Sequence, residues 1–233
     1  MGAFSEKVVL ITGAGQGLGR RAALALAREG ANLALNDLTP IHLDETVSEV
    51  RGLGCHVKAY LEDVAKRMPV QLLADQVMED WGKVDVIVLA ASVRPTDPLS
   101  TMDEWDWHRT VDVNLTAPFL VMQALAPAMQ TAGGGTIVTI GPIRHQTQDT
   151  WRMPAYAASK AGLLALTRGA AAEFAPYRIR VNAVFSERDV AFSTWISEAT
   201  LRGAPRSYEG LVTWLAGPNS SPATGKGFIF DPE

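Results

Sequence analysis

The chain of 233 residues predicts a single doubly wound α/β domain over 1–233, with a parallel sheet of about seven strands and helices on both faces. Three observations carry this. Short β-branched apolar runs alternate with helix-spaced segments along the chain, and such alternation builds parallel sheets through right-handed crossovers. Residues 84–90 are nearly continuous in apolar side chains, as strands covered on both faces are. Finally, four glycines fall in the seven positions from Gly13 to Gly19, between the first strand and the first helix.

The elements follow in order. Residues 8–11 read as a buried strand. Residues 20–28 carry Ala and Leu at helical spacing and stop at Gly30, a capping glycine. Residues 33–36 are the second strand. Thr39-Pro40 supplies a cap and a first helical position for a helix to about Leu53, with Gly54 behind it. Residues 57–61 form the third strand, and a helix from about Pro69 ends at Trp81-Gly82. After the fourth strand, Thr101 to Glu104 read as a capping box for a long helix to about Gln130. Gly133 to Gly135 break it. Residues 136–140 are the fifth strand, 141–154 a polar loop, 155–175 a helix and 178–185 the sixth strand. An irregular segment, a short substrate lid over about 186–207, precedes a helix at 208–216 and a last strand at 228–230.

Composition excludes several functions. Hydrophobic residues make up 47% of the chain, too many for overall disorder. The net charge of -4, with no basic run, speaks against nucleic acid or an anionic membrane as partner. No signal peptide or membrane span is expected. The single cysteine, Cys55, rules out an internal disulfide framework and fits a reducing, cytoplasmic setting. His42, His56, His108 and His145 show no metal-ligand spacing, so no metal site is expected.

The chemistry starts at Thr12 to Gly19. Glycine allows positive φ and close approach of backbone to a ligand. The following helix N-terminus offers free N–H groups and a positive dipole end to a pyrophosphate. A tight turn packed on the sheet is the plainer alternative, and the glycine count disfavours it. Asp37 ends the second strand, eighteen positions after Gly19. A carboxylate there binds ribose hydroxyls and repels a 2′-phosphate. No Arg or Lys stands at Gln16 or Leu38 to attract that phosphate, so NAD(H) is expected over NADP(H). The plain alternative is an ordinary Asp preceding a helix.

Together with Tyr156-Ala157-Ala158-Ser159-Lys160, these residues resemble the short-chain dehydrogenase/reductase family, which has a Rossmann fold. Further marks are Asp63-Val64, Asn114-Leu115-Thr116, Ile179 to Val184 and Thr224-Gly225. Asn36-Asp37-Leu38 is similar to NAD-linked 3-hydroxyacyl members. The resemblance implies an oxidoreductase acting on a secondary alcohol or ketone. Tyr156 would be the general acid and base, Lys160 would bind the nicotinamide ribose, and Asn114 would hold a relay water. It also implies a cofactor site from Gly13, Gln16, Gly17, Leu18, Gly19, Asp37, Leu38, Asp63, Val64 and Ala90, with Asp63 on the adenine amino group. A homodimer or homotetramer is implied through the helices at 101–130 and 155–175, whose apolar residues include Leu120, Leu125, Leu163, Leu164 and Leu166.

Two local arguments stand beside the resemblance. Tyr156 and Lys160 are four apart on one helix and share a face, where a cation favours the phenolate. In isolation such a pair would be a surface contact. Pro118 lies four residues after Asn114 and has no N–H, so the Asn114 carbonyl loses its usual helical partner. A Pro-kinked helix without function has the same geometry.

The sequence also departs from the family. Its catalytic Ser, thirteen positions before the Tyr, is replaced by Ile143, or by Pro142 if the loop is one residue longer. Loss of one such donor typically costs about 10²–10³ in rate. Thr139, His145 or a water are the candidate substitutes. Leu89 to Ser92 replace the family's Asn-Asn-Ala-Gly, and Ser186-Glu187 replace its Pro-Gly. Only 32 positions separate Asn182 from Trp214, so the lid is short. Trp151, Met153, Phe192 and Trp195 form either an apolar substrate wall or ordinary packing. The intact Tyr, Lys and Asn favour the oxidoreductase; the missing Ser favours a catalytically impaired dinucleotide-binding homologue, a sensor or partner subunit.

Overall fold

In the computed structural model, which describes residues 2–141, 153–186, 204–220 and 222–230, the apolar runs pair into one parallel sheet. Its strands are β1 (Val8–Thr12), β2 (Asn32–Asn36), β3 (Val57–Tyr60), β4 (Val86–Leu89), β5 (Gly135–Ile140), β6 (Ile179–Phe185) and β7 (Gly227–Ile229). They lie in the order β3-β2-β1-β4-β5-β6-β7. The helices are α1 (Gly17–Arg28), α2 (Pro40–Gly52), α3 (Arg67–Trp81), α4 (Glu104–Val111), α5 (Ala117–Thr131), α6 (Pro154–Phe174) and α7 (Tyr208–Ala216).

Strand alternation divides the core between the two faces of the sheet. Val9 and Ile11 pack with Leu26 of α1, Leu43 of α2 and Leu211 of α7. Leu10 and Ile87 point the other way, onto Leu73 of α3 and Leu125 of α5. All of these side chains are buried, each contributing about 1.5–3 kcal/mol relative to exposure. The far edge is held by polar contacts. The Arg180 guanidinium donates to Thr136 Oγ1 at 2.8 Å and to the Leu215 and Gly217 carbonyls at 3.0 Å. Asn182 donates to the Ala223 carbonyl and accepts from the Lys226 N–H. The polar residues of the Ile179 to Val184 segment thus tie β6 to the end of α7 and to the turn before β7.

Three expectations are corrected. Helix α1 begins at Gly17 rather than Arg20: Gln16 is its N-cap, and the Arg20 N–H already donates to the Gln16 carbonyl at 3.2 Å. The Thr101 capping box does not form: Asp103 is the cap, accepting from the Trp105 N–H at 2.7 Å. The long helix to Gln130 is interrupted by a π-type turn, Asp112–Thr116, where the Ala117 N–H reaches back to the Asp112 carbonyl. Pro118 cannot donate to Asn114, and the widened turn accommodates that loss. The lid expected over about 186–207 falls mainly on 187–203, outside the described residues.

Candidate active site

The chain runs from β1 outward to β2 and β3, then crosses back to β4 on the other side of β1. At this reversal the carboxyl ends of the strands open into a cleft of 660 Å³. Parallel sheets bind their ligands at such a switch point.

The glycine loop forms one wall. Gly13 has φ +67°, and a Cβ there would lie 2.6 Å from the Ala91 Cα. A Cβ on Gly19 would lie 2.0 Å from the Gly13 carbonyl oxygen, so α1 rests directly on the loop. Gly17 has φ +55° and open space beside it. The N-cap, Gln16, makes no side-chain capping bond, and the first turn holds no acidic residue. The helix end is therefore left for an external anion.

Asp37 stands beside it. Its Oδ2 accepts from the Gly15 N–H at 2.9 Å and its Oδ1 from the Thr39 N–H at 3.2 Å. The carboxylate is thus fixed between the loop and the start of α2. Buried Asn36 donates to the Tyr60 and Glu62 carbonyls, joining the ends of β2 and β3. Asp63 follows, with its Oδ1 accepting from the Ala65 N–H at 3.0 Å. Open glycine loop, uncapped helix end and fixed carboxylate fit the pyrophosphate and ribose of a dinucleotide.

Pro154 sets the first turn of α6 and places Tyr156 in it. Tyr156 and Lys160 are both buried, with the Lys160 Nζ 5.6 Å from the Tyr156 ring centroid. The Nζ donates to the Ile140 carbonyl at 2.8 Å. Burial pushes the ammonium down to about 7.

Of the expected site residues, Gly13, Gln16, Gly17 and Leu18 line the cleft, as do Asp37, Leu38, Asp63, Val64, Ala90, Tyr156 and Lys160. Gly19 and Asn114 lie behind the wall. The Asn114 Oδ1 accepts from the Val93 N–H at 2.8 Å, and its Nδ2 donates to the Val93 carbonyl at 2.9 Å and to Ser159 Oγ at 3.0 Å. Ser159 in turn donates to the Tyr156 carbonyl. The Asn114 side chain therefore locks the segment after β4 onto the helix that carries Tyr156.

Thr139 is corrected as a substitute for the missing Ser. It is fully buried, and its hydroxyl is engaged with Thr167 Oγ1 at 2.8 Å and the Asn182 carbonyl at 3.4 Å. Its neighbour Ile140 is the β5 residue on the cleft. Met153 is buried. Pro142, Ile143, His145, Trp151, Glu187, Phe192 and Trp195 lie outside the described residues. In place of the family's asparagines, the Thr12 hydroxyl accepts from the Ala91 N–H at 3.4 Å. Among the cleft residues that the sequence does not mark are two cations: Arg94, after β4, and Arg109, on α4. No spacing rule marks either one, since only the folded chain brings them to the cleft.

The family described as short chain dehydrogenase matches residues 7–187. A 3-oxoacyl-acyl-carrier-protein reductase FabG of Thermotoga maritima is 34% identical over 232 residues, 94% of each chain. A metagenomic short-chain oxidoreductase solved in complex with NADP superposes with a TM-score of 0.84 at 27% identity, covering 99% of both chains. An NAD+-bound xylitol dehydrogenase superposes with a TM-score of 0.83 at 28% identity, covering 97% of this chain and 98% of that one.

Proposed function

The chain belongs to the short-chain dehydrogenase family, and from that premise we propose that it transfers a hydride between NAD(H) and a secondary alcohol or ketone, with Tyr156 moving the proton. The observation that carries this is the buried Tyr156–Lys160 pair on the same cleft as the glycine loop and Asp37. Its relatives are named as reductases and dehydrogenases, so the non-catalytic alternative is not favoured.

When bound, the nicotinamide supplies or accepts the hydride. In reduction, Tyr156 donates its phenolic proton to the carbonyl oxygen as the new C–H bond forms; in oxidation the same oxygen takes the proton back. Lys160, when charged, favours the phenolate and donates to ribose hydroxyls. The end of α1 holds pyrophosphate through backbone N–H groups. Asp37 accepts from the adenosine ribose, and Asp63 from the adenine amino group. The freed carbonyl of Asn114 holds a relay water, while its side chain positions Val93 and Tyr156.

Preference for NAD(H) rests on Asp37, whose carboxylate is fixed where a 2′-phosphate would approach. Calorimetric titration is expected to show tighter binding of NADH than NADPH. Asp37→Ala is expected to weaken NADH and to narrow the gap. Tighter NADPH binding by the unaltered protein would overturn the assignment.

The protein is further read as a homo-oligomer in a cytoplasmic setting; the latter fits its lone, unpaired Cys55. The basis for the oligomer shifts from the sequence expectation. Leu120, Leu125, Leu163 and Leu164 are buried within the chain, and half-buried Leu166 packs against its core. What remains outward includes Trp105 and Trp107 on α4, Phe119 on α5, and Ala158, Ala161 and Ala165 on α6. Light scattering is expected to report at least a dimer at micromolar concentration; a particle near 25.0 kDa would contradict it.

A further inference from the structure

The cleft is divided in charge. Asp37, Glu62 and Asp63 line it beside β2 and β3, whereas Arg94, Arg109 and Lys160 line the part that holds Tyr156. The Arg94 Cζ lies 6.0 Å from the Tyr156 ring centroid. Arg109 stacks on Trp105, with its Cζ 5.5 Å from that ring. Among the described residues neither guanidinium pairs with a carboxylate. Both are half-buried.

A neutral alcohol or ketone could accept a hydrogen bond from these cations but would leave their charge without a counterpart. The charge of a dinucleotide does not explain them either, because its pyrophosphate is met by the glycine loop and the end of α1. The backbone leading into Arg94 is also anchored. Asn114 clamps both the N–H and the carbonyl of Val93, the residue before it, and a fixed donor adds specificity because little freedom is lost on binding. A guanidinium is always charged and presents a planar fork that matches a carboxylate with two parallel hydrogen bonds.

We propose that Arg94 binds a carboxylate of the substrate, with Arg109 adding to the positive field, so that the reacting molecule is a short oxo acid or hydroxy acid. This rests on the oxidoreductase reading above. The closeness of Arg94 to the Tyr156 ring sets the length: a carbonyl accepting from the tyrosine hydroxyl and a carboxylate accepting from Arg94 are only a few bonds apart. Arg94 is then a specificity-determining residue that touches substrate, distinct from the proton-transfer group.

The test uses the NADH-loaded protein and three matched pairs: pyruvate, acetoacetate and levulinate, each beside its methyl ester. Binding is read from quenching of NADH fluorescence, and turnover from NADH consumption. At least one acid is expected to bind about tenfold or more tightly than its ester, the scale of a charge-assisted pair. Arg94→Gln is expected to erase that difference by raising KM for the acid, with the ester as internal reference, and Arg94→Lys to restore part of it. Equal binding of acid and ester in all three pairs overturns the proposal, as does an Arg94→Gln loss that is the same for both. If instead acids bind through Arg94 but Tyr156→Phe leaves their reduction unchanged, the role given to Tyr156 fails and the anion site stands.

Discussion

Tyr156→Phe is expected to lower kcat for ketone reduction by about 10²–10⁴-fold, the usual worth of a positioned general acid, while leaving NADH affinity essentially unchanged. The substitution removes one oxygen and nothing else. The ring is 3% exposed in the first turn of α6, with the Lys160 ammonium 5.6 Å and the Arg94 guanidinium carbon 6.0 Å from its centroid. A phenyl ring keeps that packing and the course of the helix. What disappears is the only proton donor assigned to the carbonyl oxygen, so the loss falls on kcat and on kcat/KM together, the signature of an interaction made in the transition state. Steady-state NADH consumption and a fluorescence titration on the same sample check both halves. Unchanged turnover in the variant would move the chemistry off this helix.

Much of that arrangement is legible in the sequence because it is local. The glycine loop, Asp37 and the Tyr156–Lys160 spacing each depend on residues that are neighbours in the chain or one turn apart. The strand and helix order follows from apolar periodicity, which the sheet merely expresses. What stays hidden is set by contacts between distant segments. The partners of Asn114 lie 21 and 45 positions away, at Val93 and Ser159, so its side chain reads as a site residue while its contacts make it a brace. Pro118 announces a lost hydrogen bond but not the π-type turn that absorbs it. Leu120, Leu125, Leu163 and Leu164 read as an interface because their helices are apolar nearly all round, yet all four are already buried within the chain. Arg94 carries no signal at all in the sequence, since its meaning comes from the ring it faces.

Lys160→Met is expected to lower kcat/KM by about 10²–10³-fold, the cost of removing one aimed electrostatic donor, and to stabilise the empty protein at low pH. The two effects have one origin. Lys160 is 2% exposed, donates to the Ile140 carbonyl, and has its ammonium pushed down to about 7 by burial. The unfolded chain keeps that proton up to the ordinary lysine range, about 10.4. Between these values the unfolded state binds the proton and the folded state does not, so stability rises with pH across that window. Below about pH 7 both states are protonated, and the folded protein bears the full cost of a buried charge. Methionine has similar length and no charge, so the variant should exceed the native protein in denaturant midpoint at pH 6, with the gap closing toward pH 10. NADH binding should run the opposite way in the native protein. The charged form donates to the ribose hydroxyls, so affinity should fall as pH rises above about 7, and the variant should show a flatter profile. A stability difference between the two proteins that stays constant from pH 6 to 10 would mean that Lys160 is not titrating in this range. The buried ammonium would then not be the group that couples proton uptake to the cofactor.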